Sequence, residues 1–107
     1  MTAHTHIERL SLLSAHIEEL FSKVAGCDSR RYLPQELADE IAATAGEIMV
    51  ELADHRGDDL ARGAIEDARR LREVVRTLCP EAVLVTEAGR VLACDLELVI
   101  REDKRAA

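Results

Sequence analysis

The chain has 107 residues, a mass of 11.8 kDa, 48% hydrophobic residues and a net charge of −7. That is room for one domain, 1–107, with one core, and it is too apolar for a disordered chain. The acidic balance excludes a chain-wide basic footprint for nucleic acid, and Phe21 and Tyr32, the only aromatics, make no stacking platform for unpaired bases.

No apolar run approaches the roughly 18 residues of a membrane span, and the N-terminus does not read as a signal sequence. Cys27, Cys79 and Cys94 stand apart, with no CxxC pair. The expectation is a cytoplasmic protein with free thiols, those of Cys79 and Cys94 buried and inert in apolar segments.

Thr5 and Glu8 have the spacing of a capping box. Behind them Leu10, Leu13, Ile17, Leu20 and Val24 recur at helical intervals, which predicts a first helix over 6–25 ended by Gly26. Pro34 suits the first turn of a second helix, 34–55, whose Leu37, Ile41, Ala45, Ile48, Leu52 and His55 share a face. Gly57 and Asp58-Asp59 make a turn and a new helix start. Leu60, Ala64, Ala68, Leu71, Val75 and Leu78 mark a third helix over 59–79, stopped by Pro80. Small residues gather on the second and third helices, and a close crossing would account for Gly46 and Gly63 within them.

After Pro80 the composition turns β-rich: Val83-Leu84-Val85-Thr86 and Val91-Leu92-Ala93-Cys94 flank Glu87-Ala88-Gly89-Arg90. This predicts a β-hairpin over 82–99, with Gly89 in its loop. The alternative is a fourth helix over 81–104, since Leu92, Leu96, Val99 and Ile100 also fit helical spacing. The expected fold is therefore mainly α, a three-helix bundle with a C-terminal β-hairpin, or else an all-α four-helix bundle. The ends, 1–4 and 101–107, are expected to be flexible.

Few residues invite chemistry. Removal of Met1 would leave Thr2-Ala3-His4, whose amine, amides and imidazole form a square-planar nitrogen set for Cu(II) or Ni(II), so His4 is the one candidate metal ligand. Glu51 and His55 lie one helical turn apart, and His16 and Glu19 could face them, but ion pairing explains such a pair as well. No phosphate loop or nucleophile motif is present, so no enzyme and no cofactor are expected.

Arginines concentrate on the third helix: Arg62, Arg69, Arg70, Arg72 and Arg76 against Glu66, Asp67 and Glu73, while 26–58 holds three bases and eight acids. Such a helix can pair its charges internally; the alternative is an Arg-rich contact, through Arg62, Arg69, Arg72 and Arg76, for an acidic protein partner. Three helices and a hairpin also describe a winged helix, the DNA-binding alternative, but helices of about 20 residues are too long for that motif.

Two segments resemble the end of a histone fold. Arg90-Val91-Leu92-Ala93-Cys94-Asp95-Leu96-Glu97-Leu98-Val99-Ile100-Arg101 is similar to its loop and last helix, with Asp95 at the acidic position. His55-Arg56-Gly57-Asp58-Asp59-Leu60 through Ile65-Glu66-Asp67-Ala68 is similar to the same feature in an incompatible register. The first register would bury Pro80 inside a long helix at a cost of about 3 kcal/mol.

The favoured functional expectation is a non-enzymatic protein–protein interaction module, an adaptor, regulator or inhibitor. It is expected to pair with itself as a homodimer through Leu10, Leu13, Ile17, Leu20, Phe21 and Val24, and with a further protein. An acidic inhibitor occupying a partner's nucleic-acid site is a special case, with the 26–58 acids as its contact. No membrane and no nucleic-acid partner are expected.

Overall fold

The computed structural model describes residues 3–26, 32–55, 59–77 and 81–106, without the side chains of 3–6, His55 and Ala106. Those residues form helices α1 (Ala3–Gly26), α2 (Gln35–Leu52), α3 (Asp59–Val75) and α4 (Ala82–Ala106). A short 3-10 turn, Ala53–His55, extends α2. Each helix packs on its neighbours in the chain, and α1 packs on α4, with no α1–α3 or α2–α4 contact among the described residues. The result is a ring of four helices, 43 × 21 × 20 Å.

The predicted β-hairpin is not formed. Residues 82–106 are one helix, and no strand occurs among the described residues; the one β-bridge joins Tyr32 to Glu81 between two connections. The reason is burial. Val85, Leu92, Leu96 and Val99 lie on one helical face and are fully or almost fully buried, whereas Val83, Leu84 and Val91 face outward. A hairpin would leave the apolar stripes of α1 and α3 half-covered, and packing of a fourth stripe outweighs the β-propensity of the valines. Helix α4 includes residues 101–106, and Arg101 is paired to Glu97 at 2.8 Å.

The earlier boundaries need smaller changes. Helix α1 already runs at Ala3, so Thr5 lies within it and is not its cap. Pro34 is the N-cap of α2 and accepts a 3.0 Å hydrogen bond from the Ala38 amide. Ala45, Ala61, Ala64 and Ala68 are fully buried, so the small faces of α2 and α3 do serve the core.

The glycines exchange roles. A Cβ on Gly46 would meet nothing within 4 Å, and one on Gly63 only the Asp95 Oδ2, at 3.9 Å, so neither marks a tight crossing. Gly89, assigned to a hairpin loop, is a buried helical residue of α4 whose absent side chain is occupied by the Phe21 ring of α1. In an ordinary helix Gly→Ala gains about 1 kcal/mol. Here the added carbon would overlap the tip of the Phe21 ring at Cζ, and overpacking costs about 1–3 kcal/mol. Gly89→Ala should therefore lower thermal stability in the wild type and raise it in a Phe21→Ala background. Equal effects in both backgrounds, measured by denaturant titration, would refute the contact.

Candidate functional site

The outward face of α2 is unusually low. Ala43, Gly46 and Val50 lie there at helical spacing, and the first two are among the smallest side chains available. Arg9, Leu12 and Leu13 of α1 rise on one side, and Arg72 reaches across from α3 on the other. Together with Glu47 and Glu51 they enclose an open trough of about 750 Å³. Its walls are marked by Leu12, 70% exposed, and Val50, 74% exposed. Across its end, Arg9 approaches Glu51 at 3.9 Å, a contact between α1 and α2.

Arg72 belongs also to a second cleft. Arg69, Arg72 and Arg76 line it with Glu73 and Met49, in about 470 Å³. Arg69 is held by Glu66 at 2.6 Å, whereas Arg62, the fourth predicted contact, pairs with Asp59 and does not reach the cleft. The structure thus brings together three of the four arginines and joins them to the trough through Arg72.

The predicted self-association stripe lies elsewhere. Leu10, Ile17, Leu20 and Val24 are in the core of the single chain, and Leu13 and Phe21 pack against it half-buried. Helices α2 and α4 pack on α1, so the wide bare face on which the homodimer was argued is not there; of the six, Leu13 alone reaches the trough. Leu12, Val50 and Gly46 carry the exposed feature instead. Sequence signals for them existed: Leu12 and Val50 fall off the apolar stripes, and Gly46 is a glycine inside a helical run.

The metal candidates do not converge. His16 and Glu19 are exposed, Glu51 meets Arg9, and the side chains of His4 and His55 lie outside the described residues. No group of three or more His, Cys, Asp or Glu suited to a metal occurs among the described residues. Cys94, expected to be buried, is exposed on α4; Cys27 and Cys79 lie outside the described residues. Cys94 should therefore alkylate in the native protein without denaturant, with the modified residue located by mass spectrometry; protection until denaturant is added would contradict this placement.

The Asp67 carboxyl is perturbed. Asp67 of α3 meets Asp95 of α4, and its pKa is raised to about 7, first by burial and then by the hydrogen bond and charge of Asp95; Glu66 adds to the rise and Arg70 opposes it. As a carboxylate, Asp67 has its Oδ2 buried without a donor. Protonated, the pair shares a hydrogen bond, which explains why the acid form is preferred. Asp67 also lines a cleft of about 280 Å³ with Arg70, Val74, Leu84, Glu87, Ala88 and Val91.

No family model matches this chain, and neither curated proteins nor solved structures give a match. Among the described residues no helix is long and apolar enough to cross a membrane. The class defined by the fold is a four-helix bundle with an apolar trough on α2 beside a basic cleft on α3.

Proposed function

We propose that the chain is a non-enzymatic protein–protein interaction module that docks its partner along the outer face of α2. The observation that carries this reading is the pair Leu12 and Val50, each more than two-thirds exposed on the walls of a trough floored by Ala43 and Gly46. Large apolar side chains standing together over small ones are a surface that water solvates poorly and a partner covers well. The open shape supports a macromolecule: pockets for small ligands enclose most of the ligand surface. The basic cleft alongside supplies polar contacts at the rim, where interfaces place them.

The test is site-specific photocrosslinking in the native host. A photoreactive residue replaces Leu12 or Glu47 at the trough, or Glu97 on α4, which makes no contact with α2. Crosslinks from the first two positions and not from the third are expected. No product from any position, or equal products from all three, rejects the reading. A product of twice the chain mass identifies a second copy as the occupant.

A further inference from the structure

Resting on that reading, we infer that the occupant is an amphipathic helix of a partner protein, with carboxylates on the flank that faces α3. The trough fits a helix for a geometric reason. Packed helices approach to about 8–10 Å, and close approach requires small residues on at least one of them. Ala43 and Gly46 provide that low floor, and Leu12 and Val50 stand where the ridges of an incoming helix would lie between them. A Cβ on Gly46 would meet no atom of this chain. A mid-helix glycine costs about 1 kcal/mol against alanine, so its presence is unexplained by the chain's own packing and is accounted for by a partner backbone laid over it.

Charge sets the orientation and the chemistry. On the α3 side the trough runs into Arg69, Arg72 and Arg76, which outnumber the single acid of the cleft, Glu73. Arg69 is partly committed to Glu66, while Arg72 and Arg76 are exposed. Guanidinium forks bind carboxylates in paired hydrogen bonds. Elsewhere in the trough lie Glu47 and Glu51, the latter 3.9 Å from Arg9, so carboxylates there would be repelled or would compete. The complementary helix is therefore one-sided: apolar residues at i, i+3 or i+4 and i+7 against the trough, acids along the α3 flank, none along the flank over Glu47. A nucleic acid would also satisfy the arginines, but its bases would lie on Leu12 and Val50 with no aromatic ring among the trough residues, in a chain of net charge −7.

The probe is a displayed library of amphipathic helical peptides, randomised on both flanks and selected against the full chain. Expected binders carry Asp or Glu on one flank only and weaken with added salt. Arg72→Glu with Arg76→Glu should reduce their affinity by at least about tenfold, which is about 1.4 kcal/mol. Gly46→Lys should abolish binding without lowering the thermal melt, since the added side chain enters open space and a better helix former replaces glycine. Peptides that need Gly46 but carry no acidic bias, and do not respond to the arginine reversals, overturn this inference and leave the trough reading standing. Peptides indifferent to Gly46→Lys overturn both. Light scattering at about twice 11.8 kDa that reverts to a single chain in Gly46→Lys assigns the trough to a second copy. Tight binding of a single-stranded oligonucleotide, lost in the arginine variant, assigns the cleft to nucleic acid. Either result overturns the helix.

Discussion

Ile17→Asp is expected to unfold the chain. Ile17 is 0% exposed at the centre of the α1 stripe, inside the bundle and next to the α1–α4 contact at Phe21. The substitution removes a packed side chain, worth about 2–5 kcal/mol when truncated, and strands a carboxylate in its place. Domains of this size have about 5–15 kcal/mol in total, so the variant should lose its helical circular dichroism near 25 °C. Ile17→Val provides the graded control, with a loss of about 0.5–1.5 kcal/mol and an intact fold. A folded, monomeric Ile17→Asp protein would mean that the stripe lies at an interface between chains and that the interior placement is wrong.

Asp67 should give the chain an inverted pH profile over the mildly acidic range. The folded pKa, raised to about 7 from 3.8, means that between those values the folded state holds a proton that the unfolded state has released. Stability from this group is therefore fully present below the unfolded pKa and is lost as pH rises through about 7. Asp67→Asn should flatten the profile, because the amide donates to the Asp95 carboxylate at every pH. At pH 8 the variant should be the more stable, by up to about 1 kcal/mol, because the side chain is only partly buried and solvent screens the rest. For a domain of this size each kcal/mol raises Tm by roughly 4–8 °C. Melts of the two proteins at pH 5 and pH 8 decide it: a variant less stable than wild type at pH 8 would show that the carboxylate, not the acid, is the form the fold prefers. Arg70 and Glu66 share the site, so Arg70→Gln should widen the difference by removing the one charge that favours the ionised form.

The first three helices were legible because their signals agree. In α1 the heptad-like run from Leu10 to Val24 holds the buried residues Leu10, Ile17, Leu20 and Val24, with Leu13 half-buried, and Pro34 and Asp59 mark starts within a residue. Helix α4 was legible only as the alternative over 81–104, because its local and tertiary preferences conflict. Val83, Val85 and Val91 favour a strand by side-chain shape, Gly89 suggests a turn, and only the partnership with α1 and α3 selects the helix. Gly89 was misread for the same reason: its use is to admit the ring of Phe21, a residue 68 positions earlier. The candidate site was half visible. Three of the four arginines named from charge clustering do share a cleft, but the trough depends on which apolar residues the bundle leaves outside, and periodicity identifies mainly those it takes in. The Asp67–Asp95 meeting joins residues on separate helices and had no local signature.

The ring order of the helices has a kinetic consequence. Three of its four seams join helices consecutive in the chain, so each can zip up as a local helical hairpin. Only the α1–α4 seam must bring together segments from opposite ends of the sequence. Closing it carries the largest loop entropy and comes when the other seams already hold the chain compact. Folding should be fast, within the microsecond-to-millisecond range of helical bundles. The Phe21–Gly89 contact lies in that last seam, so its disruption should show in the unfolding rate and leave the refolding rate almost unchanged. The seam that was hardest to see in the sequence is thus the latch that sets how long the folded chain persists.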